Sequence, residues 1–491
     1  MGREFGAGVR GGKVAVRPAG PVPRAYLLLL LPLLLLAAGF AGHEAWRDEI
    51  QAWLMGREFG ILELLANAGN EGHPIGWHLL CKFFFLAHLP FETLQVFSLS
   101  CAVGAGALLV SRGPFPVPAL LLILCSPIFQ LLGIAARPYM LIVFLLFAQA
   151  ALFPSRMRAP LRYALCLGAL SQLMVLCLPY VGFMALWWSW EAAREKAGKR
   201  VLFALALAWL LLFFAAFQLF PPLDKMRLML EARGAGLMAW GVGGGFSALP
   251  AHVLAVLAAG VCLGLVWLRA FFRCHPLLAA AAAASVLFAA FVDVLVYPLS
   301  TSHWYAVTAM LVAASWTACA GGRETAPRER KLLCALACIA CLGIMPAGIA
   351  EWKDELLLPS SNLPPAEAFF RTELAGEDVA AHTMARISPL LKNTPGGRLW
   401  DPAGRRWRHA AVFDADWYRR RSLSVGEAAR SILDACPARR PVMVFSAPWE
   451  DAAAFEYKLV IEFSRPTVYD ESFFFYRSQE PFPDCGPDCG P

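Results

Sequence analysis

Residues 26–40 read YLLLLLPLLLLAAGF, and residues 43–54, which follow almost at once, read HEAWRDEIQAWL. The first stretch carries no charge and is typical of a helix that crosses a membrane, whereas the second combines carboxylates, basic groups and tryptophan. Apolar runs of about 15 to 22 residues recur along the chain, a length that suits a hydrocarbon core of roughly 30 Å. The sequence therefore predicts a multispan α-helical membrane protein.

The composition supports this fold class. The 491 residues are 58% hydrophobic and 16% charged, with a mean hydropathy of +0.55. These values exclude a soluble enzyme, and the long runs exclude an outer-membrane barrel, whose strands are shorter and alternate in polarity. The formal net charge of +7 reflects Lys and Arg in loops that stay in the cytoplasm, so no nucleic-acid partner is implied.

Loop charges predict the topology. Five basic residues precede the first run, so we expect residues 1–25 to form a cytoplasmic tail. About eleven spans are predicted, at residues 26–40, 93–110, 116–134, 139–153, 163–178, 180–190, 201–220, 250–271, 276–297, 304–320 and 332–350. This count leaves out Pro74 to Leu89, which would invert every later loop. We place that segment on the outer membrane surface as an amphipathic helix.

Three regions follow from this topology. Residues 1–25 are the tail, residues 26–350 are the transmembrane domain with a first outer loop at 42–92, and residues 351–491 are a small extracytoplasmic α/β domain. Alternating residues at 441–445 and 458–462 predict strands, and 425–433 predicts a helix. Cys485 and Cys489 could close a small disulfide in this domain.

The first outer loop is more acidic than any other. Asp48 and Glu49 open a stretch in which Ile50, Trp53 and Leu54 recur at helical spacing, so the carboxylates are expected at a helix N-terminus. Adjacent side chains on a helix point roughly 100° apart, so only one faces a substrate while the other orients. Acidic residues at a helix start also act simply as caps, and the residues alone leave both interpretations open.

Four short stretches of sequence carry a resemblance to a known family. The loop sequences HEAWRDEIQAWL and NEGHPIGW (70–77), together with ARPY (136–139) and SHWY (302–305), resemble the GT-C superfamily of membrane glycosyltransferases. That superfamily includes protein O-mannosyltransferases and lipid A aminoarabinose transferases. Its members carry an Asp, usually followed by Glu, just after the first span, and a His-Pro that opens a juxtamembrane helix. The SHWY match is weaker, because relatives often have an Arg-His pair there.

The resemblance implies the chemistry and the roles. A sugar would pass, with inversion, from a polyprenyl-phosphate donor to a hydroxyl of a glycan, lipid or protein acceptor, with Asp48 as general base. Glu49 would orient Asp48 or contact a metal, and Arg137 and then His303 would contact the departing phosphate. No cofactor is expected to be required, although a divalent metal is possible at Asp48 and Glu49. The expected location is a bacterial-type inner or plasma membrane, with membrane lipids as partners, the N-terminus cytoplasmic and the C-terminal domain extracytoplasmic.

Three further residues carry open alternatives. His73 is expected to contact sugar or phosphate, or else to cap the helix that follows Pro74. Tyr139 is a membrane-interface anchor or a sugar contact. Asp293, near the outer end of its predicted span, could face the same cavity, because a carboxylate inside a membrane is costly unless it is paired or functional.

Other functional classes remain as alternatives. A transporter or lipid flippase would need a polar pathway near the bilayer midplane, and the predicted spans offer little beyond Asp293 and scattered glutamines. An O-antigen ligase or polymerase is expected to carry its key residues in a large late outer loop. A scaffold that has lost activity is a third alternative, against which the presence of Asp48 argues.

Overall fold

In a computed structural model of the protein, the described residues include the sheet domain and most of the apolar helices. These residues are 30–220, 276–293, 299–320, 327–359, 361–382, 384–401, 406–412, 423–435, 440–468 and 471–479. The predicted N-terminal tail, the predicted span at 250–271, and Cys485 and Cys489 lie outside them.

Helices account for most of the described chain. They are α1 (Leu30–Gly42), α2 (Arg47–Glu58), α3 (Ile61–Glu71), α4 (Gly76–Leu86), α5 (Glu92–Arg112), α6 (Val117–Leu124), α7 (Pro127–Gln130), α8 (Pro138–Leu152), α9 (Pro160–Ser171), α10 (Cys177–Arg194), α11 (Lys199–Gln218), α12 (Pro276–Phe291), α13 (Thr301–Ala320), α14 (Pro327–Leu357), α15 (Leu363–Glu373), α16 (Met384–Ile387) and α17 (Val425–Ala435). Short 3₁₀ turns lie at Phe153–Ser155, Ser388–Leu391 and Ala452–Phe455.

Four of the described helices are long and apolar enough to cross a membrane. They are α5, α11, α14 and the stretch Pro138–Ser155 that contains α8. The structure is thus compatible with a membrane protein, but the prediction of about eleven spans is wrong. Hydropathy alone does not separate a helix that faces lipid from one buried inside the protein. Helix α13, for example, buries most of its residues and carries hydroxyl and imidazole side chains along its length.

A proline explains how one of the predicted spans breaks. The stretch predicted at 116–134 forms two short helices, because Pro127 starts a new helix, α7. The long helix α14 passes this break at Gly348, where an added Cβ would lie only 1.8 Å from Pro127 Cγ. The spans predicted at 163–178 and 180–190 are α9 and α10, so the break precedes Cys177 and is not at Pro179, which lies in the first turn of α10, where its missing N–H costs nothing.

Helices α2 and α4 cross closely beneath the sheet domain. Their nearest approach is at Gly56, where a Cβ would lie 2.6 Å from that of Cys81. Lys82 of α4 donates to the carbonyl of Phe59 at 2.8 Å and so caps the end of α2. The exposed face of α4 carries Leu79, Phe83 and Leu86, and its placement on the outer membrane surface stays a prediction.

The C-terminal residues form a mixed sheet, as predicted. Its strands are β1 (Val379–His382), β2 (Leu399–Asp401), β3 (Arg406–Arg408), β4 (Val442–Phe445), β5 (Tyr457–Phe463) and β6 (Phe473–Ser478). Their order in the sheet is β3-β2-β1-β4-β6-β5. The central pair β1 and β4 is parallel, and both strands are buried throughout. Helix α14 runs past residue 351 to Leu357, so the first element of this sheet domain is α15.

Side chains of α2 fasten the sheet domain to the helices. Gln51 donates to the carbonyl of Ala411 at 2.6 Å and accepts from the amide of that residue at 3.2 Å. The buried Arg57 donates to the carbonyls of Leu391, Lys392 and Thr394 at 3.1, 2.7 and 3.2 Å. Helix α2 is therefore packed between α4 and the sheet domain and is buried along most of its length.

Arg57→Ala tests this junction. We expect the free energy of unfolding to fall by about 3 kcal/mol, because one buried and two partly buried carbonyls lose a charged donor. Thermal unfolding of the detergent-solubilised protein measures the change, with Arg371→Ala on the exposed face of α15 as the matched control. Equal unfolding of the two variants would show that the junction contributes little.

Candidate functional site

Asp48 and Glu49 occupy the first turn of α2, as the sequence predicts, and their side chains point in different directions. The Asp48 side chain is 43% exposed, whereas that of Glu49 is fully buried. The backbone amide of Arg47 donates to the carboxylate of Glu471 in the sheet domain at 3.0 Å, which satisfies one of the free N–H groups at this helix end. One carboxylate therefore faces outward while its neighbour serves the interior.

Glu49 has three partners, one of which is the backbone amide of Trp46, which donates to its Oε1 at 3.5 Å, so this carboxylate also caps α2. Its Oε1 lies 2.8 Å from His43 Nε2, and its Oε2 accepts from the backbone amide of Ala136 at 2.5 Å. The other ring nitrogen of His43 contacts Glu355 near the end of α14. Both carboxylate oxygens of Glu49 therefore contact protein groups, and its orienting and metal-contacting roles both stay predictions. Within the described ranges, no group of three or more His, Cys, Asp or Glu side chains is arranged to hold a metal ion.

Arg137 lies directly beside Asp48. It is the residue before α8 and adopts an extended backbone, as a residue before proline commonly does. Its Nη1 lies 2.7 Å from Asp48 Oδ2, and its guanidinium carbon lies 5.9 Å from the ring centre of Trp46. Glu49 holds the amide of Ala136, and Asp48 contacts the guanidinium of Arg137. The two carboxylates of α2 therefore fix two consecutive residues of the segment before α8.

His73, Tyr139 and His303 complete the group around Arg137. The Arg137 guanidinium donates to Tyr139 Oη at 3.3 Å, and that oxygen lies 3.3 Å from His303 Nε2. The ring of His73 stacks on that of His303, with centres 6.3 Å apart and planes inclined by 13°. Five residues predicted from separate parts of the sequence therefore lie in one contiguous group.

The first turn of α4 is satisfied without His73. The amide of Ile75 donates to Gln218 Oε1 at 2.9 Å, and the amide of Gly76 donates to the carbonyl of Gln172 at 3.0 Å. The capping alternative for His73 is not observed, since Ile75 is the N-cap residue of this helix. The buried Nδ1 of His73 makes no hydrogen bond within the described part of the chain.

Burial and charge set the protonation of the site histidines. Burial lowers the pKa of His73 well below its usual value, and Arg137, His303 and His78 lower it further. The pKa of His303 is lowered to about 4, chiefly by burial and then by Arg137. Both rings are therefore neutral at physiological pH, and the cations next to Asp48 are Arg137 and, at 3.6 Å from its Oδ1, the Nε of Arg47.

His43 is shifted in the opposite direction. Burial on its own would lower its pKa, but Glu49 and Glu355 outweigh that effect and raise it from 6.5 to about 10. The imidazole is therefore charged at neutral pH. A charged group this deeply buried requires such partners, because an unpaired ion in the interior costs several kcal/mol.

Asp293 contacts a residue outside this group. Its Oδ1 accepts from the amide of Leu299 at 2.6 Å, in the segment just before α13. Asp293 thus contacts the segment that leads to His303.

Three residues that the sequence analysis did not predict as site residues also lie in this region. His43, Glu355 and His78 all lie against the predicted group or support it. His43 stands in the acidic first loop, so the density of ionisable residues there was a usable signal. Glu355 is 312 residues from His43 along the chain, and no short motif connects the two.

A separate apolar cavity lies between α1 and α5. Its volume is about 270 Å³, and its lining includes Leu36, Val103, Gly106, Phe129 and Gln130. The lining contains no charged residue. It can hold an apolar chain but offers no group for acid-base chemistry.

A scan of protein-family models gave no match to this chain, and a search of curated proteins gave no relative.

The charge on His43 predicts how stability depends on pH. Because its pKa is raised from 6.5 to about 10 in the folded protein, its stabilising contribution is complete below about pH 6.5 and is lost as the pH rises to about 10. The gap in unfolding free energy between wild type and His43→Gln should shrink by up to about 1.4 kcal/mol per pH unit in that window. Unfolding measured between pH 7 and 9.5 tests this, and two parallel curves would contradict it.

Proposed function

We propose that this protein is an integral membrane glycosyltransferase that transfers a sugar from a polyprenyl-phosphate donor to an acceptor hydroxyl, with inversion at the anomeric carbon. The observation that carries the proposal is the Asp48–Arg137 pair, in which a partly exposed carboxylate lies 2.7 Å from a guanidinium that is only 13% exposed. A proton acceptor and an anion-binding cation are thus placed together. The resemblance to the GT-C superfamily supports the same assignment.

Asp48 is the proposed general base. The acceptor hydroxyl attacks the anomeric carbon, its proton passes to the Asp48 carboxylate, and the bond between that carbon and the phosphate oxygen breaks. The bonding electrons leave with the polyprenyl phosphate. Because the Asp48 side chain is 43% exposed, an acceptor can reach it from solvent or from the membrane surface.

Arg137 is the proposed contact for the phosphate. Its guanidinium offers five donors, so it can bind a phosphate oxygen and still contact Asp48. Negative charge that develops on a leaving group is stabilised most strongly by a fixed donor in a site that excludes water. The neutral rings of His73 and His303 flank this cation, and we assign them to the phosphate or the sugar, with Tyr139 between them.

The proposed lipid-linked donor reaches the site from the membrane. Four helices long enough to span a bilayer support a location where a polyprenyl chain dissolves in the lipid and brings its phosphate to the surface. In the proposed orientation the N-terminus is cytoplasmic, and the site and the sheet domain face away from the cytoplasm. The proposed partners are the lipid-linked donor and a glycan, lipid or protein acceptor. The reaction is complete without a cofactor, because the donor carries its own leaving group.

Asp48→Asn provides the direct test. We expect single-turnover release of polyprenyl phosphate to slow by about 10²- to 10⁴-fold, because a carboxamide cannot accept the proton. Donor binding should persist, since Arg137 is unchanged. The measurement uses purified full-length protein in nanodiscs with a panel of polyprenyl-phosphate sugars and mixed acceptors.

Asp451→Asn is the matched control, since Asp451 is exposed in the sheet domain. It should release polyprenyl phosphate at the wild-type rate. Equal turnover by Asp48→Asn and wild type would remove Asp48 as the base. If wild type binds none of the donors, the proposal as a whole fails and a transporter or scaffold becomes the better hypothesis.

A further inference from the structure

The contact between His43 and two carboxylates has no role in the chemistry described so far. His43 Nε2 lies 2.8 Å from Glu49, and Nδ1 contacts Glu355. The three side chains are 2%, 0% and 3% exposed, so solvent does not reach them. The bridge joins the segment after α1, the start of α2 and the end of α14.

The bridge leads to the proposed site in two directions. Glu49 is the neighbour of Asp48 in the first turn of α2, so the orientation of one constrains that of the other. The second oxygen of Glu49 accepts from the amide of Ala136 at 2.5 Å, and Ala136 precedes Arg137. A displacement of Glu49 would therefore change the position of the base and of the phosphate-binding cation together.

We propose that His43 is a positioning residue, which bridges Glu49 and Glu355 and thereby fixes the distance between Asp48 and Arg137. The inference rests on the proposed function, because that function makes the distance between Asp48 and Arg137 important for catalysis. The bridge itself does not depend on the proposed function. His43 does not reach the proposed reacting atoms, so it acts through Glu49.

The chemistry of the residue explains why histidine suits this position. A doubly protonated imidazole has two rigidly opposed N–H donors, one for each carboxylate, and one positive charge to offset them. Glutamine fills a similar volume but carries no charge. Lysine carries the charge and three donors on a flexible chain, so it can contact both carboxylates although its shape differs.

The two substitutions therefore separate positioning from packing. If His43 serves as a charged bridge, His43→Lys should retain more function than His43→Gln. If His43 only fills space, the order should be reversed. His88→Asn is the matched control, because His88 is exposed and its left-handed backbone, with φ of 56°, also suits asparagine.

Two readouts are needed in the full-length protein. The first is single-turnover release of polyprenyl phosphate, which we expect to slow by about 10- to 100-fold in His43→Gln, as small misplacements of catalytic groups do. The second is hydrogen–deuterium exchange of residues 131–137, which contain the Ala136 amide. We expect exchange there to accelerate about tenfold or more in His43→Gln while strand β4 is unchanged, since the loss is local.

The outcomes distinguish this inference from the proposed function. Faster exchange in residues 131–137 with partial recovery in His43→Lys supports the bridge, even if wild type turns over none of the donors and the proposed function fails. If His43→Gln has the same turnover and the same exchange as wild type, the bridge is overturned and the proposed function is unaffected. A His43→Lys protein that retains no more turnover or protection from exchange than His43→Gln would also overturn the bridge.

Glu355→Gln keeps the inference testable if both His43 variants fail to fold. It removes one carboxylate but leaves His43 and Glu49 in place. We expect a smaller acceleration of exchange in residues 131–137 and a smaller loss of turnover than in a folded His43→Gln protein. No change in either readout would show that the link to α14 does not position the site.

Discussion

The first turn of α2 is the point at which three parts of the molecule meet, and the buried contacts of Glu49 hold them together. His43 and Glu355 connect this turn to α14, and the amide of Ala136 connects it to the segment before α8. Glu471 of the sheet domain accepts a hydrogen bond from the amide of Arg47. Breaking a buried ion pair by removing one partner typically costs about 3–5 kcal/mol. The geometry around Asp48 therefore depends on charges that are out of contact with solvent.

This arrangement gives the two neighbouring carboxylates different tasks. Glu49 is turned inward and is fully bonded, whereas Asp48 is turned outward and meets Arg137. The helix that carries them cannot rotate easily, because Gln51 and Arg57 on its length are bonded to the sheet domain and Gly56 lies against α4. A rigid helix with one exposed carboxylate at its N-terminus is a suitable support for a general base.

Much of this group could be predicted from the sequence. The helix start at Asp48 and Glu49 follows from apolar spacing, and the resemblance of short motifs brought Arg137 and His303 to the same side. The count of spans could not be predicted in this way, because hydropathy rates the buried helix α13 and the broken segment at Pro127 as if each faced lipid. The bridge to Glu355 was also beyond prediction, since its partner is 312 residues away and nothing local marks the pairing.

The most direct measurement of the central claim is a cryo-electron microscopy structure of the full-length protein in nanodiscs with a non-transferable polyprenyl-phosphate sugar analogue. We expect phosphate density within hydrogen-bonding distance of the Arg137 guanidinium and the sugar ring next to the Asp48 carboxylate. Phosphate density at a distance from Arg137, for example with the lipid confined to the apolar cavity between α1 and α5, would contradict it.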